Sequence, residues 1–121
     1  MPEKENSKKY DLEERTFEFA RDVRAFVRQL PRTLANIEDV KQLVRSSGSV
    51  GANYIEANES LGKKDFAMKA KICRKEAKES RCFLLLVFAD GNSALDKTRD
   101  ALIQEALELT SIFGAIVRKT E

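Results

Sequence analysis

The sequence predicts an all-α fold, an antiparallel up-down-up-down four-helix bundle, and three observations predict it. Apolar residues recur at alternating spacings of three and four along most of the 121-residue chain, the period of one helical face. Turn-forming residues are scarce: 5 Gly and 2 Pro are too few for a sandwich or barrel, while 42% apolar residues are too many for a disordered chain. The length suits one domain and is too short for two cores of ordinary size. Four amphipathic segments joined by short loops then have the bundle as their default packing.

Residues 1–10 lack apolar periodicity and read as a mobile N-terminal arm, so the bundle domain is expected over residues 11–121. The first helix carries Leu12, Phe19, Val23, Phe26 and Leu30 on one face, with Thr16 filling the gap. It is expected to end near Pro31, because proline lacks a backbone donor and disfavours helix in the residue before it. Asn36, with Asp39 in the positive first turn, reads as the cap of a second helix running from Ile37 to Ser60. Its middle holds Gly48 and Gly51, which cost about 1 kcal/mol each inside a helix. Their presence points to a close helix crossing, with a break at Gly48 as the alternative. Gly62 reads as a stop, and a third helix from Lys64 buries Phe66, Ala70, Cys73, Ala77, Leu84 and Val87. After the turn Asp90-Gly91-Asn92-Ser93, a fourth helix from Ala94 to Lys119 buries Leu95, Leu102, Ala106, Leu109, Phe113 and Ile116.

Composition removes many functions. With no His, the chain supplies no His general base, no Ser-His or Cys-His pair and no His-ligated zinc or haem. No Gly-rich phosphate loop occurs, and no catalytic residue, cofactor or metal is assigned. No apolar run approaches about 18 residues and the first ten residues are polar, so neither a membrane span nor a secretory signal is expected. The expected location is the reducing cytoplasm. Cys73 and Cys82 lie nine apart, on opposite sides of one helix, where they cannot pair. Both read as buried apolar residues.

Three constellations remain. Arg45, Asn53 and Glu56 on the second helix, with Glu76 and Glu79 on the third, read as a structural polar network that fixes helix register, since carboxylates among apolar groups persist when paired. The alternative is a carboxylate-lined metal or small-ligand site. Glu76-Ala77-Lys78-Glu79 and Glu105-Ala106-Leu107-Glu108 have the spacing found in two-metal bundles but lack the His. The second constellation is Lys63, Lys64, Lys69, Lys71, Arg74, Lys75, Lys78 and Arg81, eight cations against three acids between residues 61 and 82. On one helix they circle more than half the circumference, but a ring of subunits would multiply the excess into a belt for backbone phosphates. No aromatic platform for unpaired bases accompanies them. Third, the stretch from Cys82 to Phe88 is apolar all round, more than a lone bundle buries. Phe83, Leu85, Leu86 and Phe88 are therefore candidate oligomer-interface residues.

The run from Gln42 to Ala57, with Lys64-Asp65-Phe66 and Lys75-Glu76-Ala77-Lys78-Glu79 after it, closely resembles the bacterial four-helix bundle family also called the 23S rRNA intervening-sequence proteins. The hallmark is similar to Q-L-x-R-S-x-x-S-V-x-A-N-x-x-E-A, and the resemblance covers residues 11–119. It departs at Cys82-Phe83-Leu84, where relatives often carry an aromatic pair ending in Trp. The resemblance implies an up-down bundle that assembles into a homopentamer, without established enzymatic activity. It also implies kinship with accessory proteins of diversity-generating retroelements, whose basic barrels bind nucleic acid. Family identity rests on Arg45, Ser46, Ser49, Asn53, Glu56, Glu76 and Glu79, all read as structural. The expected function is that of a non-enzymatic, homo-oligomeric accessory or scaffold protein associated with RNA or DNA. The alternatives are a protein–protein adaptor without nucleic-acid affinity and the ligand site inside the bundle.

Overall fold

The structure, a computed structural model, describes residues 3–121, with side chains from Leu12 onward. It contains α1 (Glu3–Val27), α2 (Leu34–Asn58), α3 (Lys63–Leu86) and α4 (Ser93–Thr120). Each helix packs on its two neighbours around the ring, α1 on α2, α2 on α3, α3 on α4 and α4 back on α1, while among the described residues the backbones of the diagonal pairs stay apart. With loops too short to reverse direction twice, successive helices are antiparallel, and the expected bundle results. Among the described residues the α1·α4 seam is the most open of the four. The backbone of residues 3–10 continues α1. The arm expected over residues 1–10 is thus helical in its backbone from Glu3, while Met1, Pro2 and the side chains up to Asp11 lie outside the described residues.

The stripe read on α1 is the buried one: Leu12, Thr16, Phe19, Val23, Phe26 and Leu30 all face the core. The hydroxyl of Thr16 is satisfied within its own helix, donating to the Leu12 carbonyl at 2.9 Å. α1 stops at Val27, earlier than the expected end near Pro31, and a tight turn carries Leu30 into the core.

α2 begins three residues earlier than expected, and its cap is Thr33, whose Oγ1 accepts the Asn36 backbone N–H at 3.1 Å. Asn36 is thus not the cap. It sits in the first turn, almost fully buried, and its amide is used on the α3–α4 connection instead. Gly48 and Gly51 lie in unbroken helix. A Cβ at Gly51 would stand 3.0 Å from Thr16 Oγ1, and one at Gly48 would stand 3.1 Å from Arg24 Nη2. The small residues therefore serve a close α1–α2 crossing, and the alternative break does not occur. α2 ends at Asn58, and Gly62, expected as its stop, instead precedes α3, its carbonyl accepting the Phe66 N–H at 3.0 Å.

Asp90 and Gly91 turn the chain between α3 and α4 with φ of 57° and 70°, a left-handed pair that Asp and Gly tolerate and β-branched residues do not. Asn92 then caps α4, its Oδ1 accepting the Leu95 N–H at 3.0 Å. The buried face of α4 is Leu95, Leu102, Ala106, Leu109, Phe113 and Val117, with Val117 taking the last place expected for Ile116, which is half-buried. Phe113 meets Tyr54 edge to face, with ring centroids 5.6 Å apart, across the centre of the bundle.

Candidate functional site

The basic residues of α3 separate by exposure and partner. Lys69 is drawn to Glu56 of α2 at 2.7 Å, a bond that raises its pKa. Arg74 leans over Gly114 of α4 and is half-buried, as is Arg81. Lys63, Lys64, Lys71, Lys75 and Lys78 are exposed and form no ion pair among the described side chains. At 100° per residue, Lys64, Lys71, Lys75 and Lys78 fall within an arc of about 60°, and their 14-residue span covers roughly 21 Å of helix. The eight cations together do circle the helix, but four of them form one straight, solvent-facing stripe.

The same arc runs on through Cys82 into the apolar end of α3. Leu84 and Val87 are buried there, whereas Leu85, Leu86 and Phe88 are 54%, 60% and 52% exposed. Phe83 is partly buried against the chain's own core, so of the four candidate interface residues it is the one already accommodated. Leu34, at the start of α2, is also exposed at this end. The two cysteines divide as their opposite faces require, but Cys82 is exposed, contrary to the expectation that both are buried. Cys73 is buried, its thiol donates towards the Val50 carbonyl, and burial pushes its pKa up to about 12. It is an inert packing residue.

The expected polar network resolves into separate pieces along the α2·α3 seam. Arg45 reaches Glu79 at 3.3 Å and Glu76 at 3.5 Å. Ser46 Oγ lies 2.9 Å from Ser80 Oγ, and the Ser80 hydroxyl also approaches the Glu76 carbonyl at 2.9 Å. Asn53 does not join Arg45 or Glu56; its amide donates back one turn to Ser49, to Oγ and carbonyl at 2.8 Å each. Glu56 turns to Lys69. Among the described side chains Glu76 is the one buried carboxylate, and its Oε1 has no hydrogen bond of good geometry despite the nearby guanidinium.

Two of the polar features that sequence reasoning missed tie separate elements together most closely. Arg15 of α1 forks onto the other Glu-x-x-Glu pair, with Nε to Glu105 at 2.7 Å, Nη2 to Glu105 at 2.8 Å and Nη2 to Glu108 at 2.7 Å. The bond from Glu105 is the main cause of a raised Arg15 pKa. The signal was present, since an Arg within reach of an i, i+3 acid pair is the pattern already noticed at Arg45. Asn36 is the other: its Nδ2 donates to the carbonyls of Pro31 and Phe88 at 2.8 Å each, and its Oδ1 accepts the Phe88 N–H at 2.9 Å. Both Glu-x-x-Glu pairs are thus capped by an arginine, and among the described residues no three His, Cys, Asp or Glu side chains gather as a metal cluster. No described helix is long and apolar enough to cross a membrane.

The family model of the 23S rRNA-intervening sequence protein matches residues 8–115, nearly all of the bundle. The chain belongs to the 23S rRNA-intervening sequence protein family. In fold this family member is similar to a crystal structure from Bacteroides thetaiotaomicron, a protein of unknown function from the S23 ribosomal protein family. The TM-score is 0.77 at 24% identity, over 92% of this chain and 98% of that one. Over 63 residues it is also 38% identical to centromere protein S of Bos taurus. That match takes in 52% of this chain and 46% of the relative, so the chain spans under half of that protein's length. It covers too little of either chain to define kinship.

Proposed function

We propose that this member of the 23S rRNA-intervening sequence protein family is a cytoplasmic, non-enzymatic homo-oligomer, a homopentamer as the resemblance implies, that associates with RNA or DNA as an accessory or scaffold. The observation that carries the nucleic-acid part is the stripe of Lys64, Lys71, Lys75 and Lys78, exposed and without acidic partners among the described side chains. Evenly presented ammonium groups bind backbone phosphates by summed charge, without a fixed pocket. The lack of aromatics beside them among the described side chains favours backbone contact over base reading. Assembly is supported by the exposed Leu85, Leu86 and Phe88, which a single bundle leaves in water. In a ring the stripe would be repeated once per subunit, raising the local potential that draws phosphates in.

The test is fluorescence anisotropy with labelled RNA and DNA, single-stranded and duplex, from low to moderate salt. Binding that weakens linearly in log salt is expected. Replacing the four lysines by glutamine should reduce that slope by about 3 to 4 per engaged subunit. An oligomer that binds no nucleic acid even at low salt overturns the nucleic-acid reading and leaves the protein–protein adaptor.

A further inference from the structure

Two apolar features lie at one end of the bundle, one at the α1–α2 connection and the other where α3 runs into α4, and we infer that each is the seat of the other in a neighbouring copy of this chain. The projection is Leu85, Leu86 and Phe88, each more than half exposed. The receptor is a groove of about 240 Å³ between the end of α1 and the start of α2, lined by Val27, Leu30, Ile37 and Val40 and flanked by Arg32 and Lys41. The inference rests on the homo-oligomeric reading above and specifies how the copies meet.

Three observations argue for a second copy as the occupant. First, the two features are level. Asn36 lines the groove and holds the backbone of Phe88 through both its amide atoms, so groove and projection stand at the same height on the bundle. A rotation about an axis parallel to the helices then carries the projection of one copy to the groove of the next without climbing, the condition for a head-to-tail contact to close into a ring. Features at different heights would build a filament. Second, the charges match. The groove is flanked by Arg32 and by Lys41, which Glu38 holds only at 3.5 Å. The segment from Phe83 to Gly91 has no cation and one exposed acid, Asp90. A two-fold contact of the projection with itself would set Asp90 near Asp90 and leave the groove empty; the head-to-tail contact sets Asp90 towards the cationic rim. Third, every copy carries one projection and one groove of matching chemistry, so no outside partner is needed to cover either.

Mixing two variants tests this. Leu85→Asp/Leu86→Asp spoils the projection, Ile37→Asp spoils the groove, and all three sites are exposed. Light scattering should give the wild type a multi-chain mass and each variant a single-chain mass, with helical melting retained by circular dichroism. An equimolar mixture should give a two-chain mass, because one intact projection then meets one intact groove and nothing remains to extend it. If an aspartate variant fails to melt as a folded protein, the milder Leu86→Ser and Ile37→Ser variants take its place, each expected to weaken assembly about tenfold. A mixture that stays single-chain beside an oligomeric wild type, or an Ile37 variant that assembles as the wild type does, overturns the pairing while sparing the oligomer. A monomeric wild type overturns both.

Discussion

The α1·α4 and α2·α3 seams carry the same device, an arginine facing a Glu-x-x-Glu pair on the next helix, yet the two copies are built oppositely. At α1·α4, Arg15 makes three bonds of 2.7–2.8 Å to Glu105 and Glu108, and none of the three side chains is fully buried, at 28%, 26% and 48% exposed. At α2·α3, Arg45 makes one bond of 3.3 Å and a looser contact of 3.5 Å, its side chain 52% exposed while that of Glu76 is only 7% exposed. Good geometry goes with partly exposed partners throughout in one seam, and poor geometry with one buried carboxylate, Glu76, in the other. Sequence spacing treats the two as equals. Energetically they differ, because a charge near water gains little from its partner, whereas a buried carboxylate depends on whatever partner it has.

The α2·α3 seam is therefore where single changes should cost most. Asn36→Ala removes three hydrogen bonds, one to the Pro31 carbonyl and two that bind the start of α2 to the chain after α3, and should cost about 2 to 3 kcal/mol in chemical denaturation. A loss under about 0.5 kcal/mol would mean that water replaces the amide at Phe88. Next in size, Arg45→Ala should cost about 1 to 3 kcal/mol, less than a fully buried pair because Arg45 itself is half in water. Adding Glu76→Gln should recover much of that loss, since the double variant no longer buries an unpaired charge. Additive losses in the double variant would show that Glu76 does not depend on Arg45. Across the bundle, Arg15→Ala should cost under about 1 kcal/mol despite its better bonds, and the loss should shrink further in salt. A larger cost for Arg15 than for Arg45 would reverse the comparison.

Legibility in the sequence follows the same division. The four helices and their buried stripes were readable because apolar burial obeys one period, and α1 shows it from Leu12 to Leu30. The close crossing at Gly51 was readable because glycine in mid-helix needs a reason, and Thr16 at 3.0 Å supplies it. Polar partners were only half readable. Arg45 with Glu76 and Glu79 followed from spacing, but Asn53 chose its own helix, a choice made by local bonding that competes with any partner across the seam. Asn36 looked like a cap because Asn caps helices well; Thr33 stood three residues earlier and freed the amide for a contact 52 residues away. The basic segment was visible as an excess, while its division into paired and unpaired lysines depended on where Glu56 and α4 lie.

The smallest expected effect concerns acid, and it tests whether the Arg15 fork is closed in solution. Glu108 accepts from Gln104 at 3.0 Å and from Arg15 at 2.7 Å, and these two bonds, Gln104 first, hold its pKa below the usual carboxylate value. A carboxyl group held low in the folded state binds its proton more weakly there than in the unfolded chain. Its contribution is present above the ordinary carboxyl pKa of about 4.3 and fades as pH falls through the lower folded value. Carbon-detected NMR titration should therefore show Glu108 protonating later on the way down than an ordinary glutamate, with Gln104→Ala and Arg15→Ala each moving it back up. The stability gap between wild type and Arg15→Ala should narrow in the same acid range, since a protonated Glu108 no longer distinguishes the two. Ordinary titration of Glu108 in the wild type would mean that the short bonds of the α1·α4 seam do not persist in water, and that exposure there removes the pairing along with its worth.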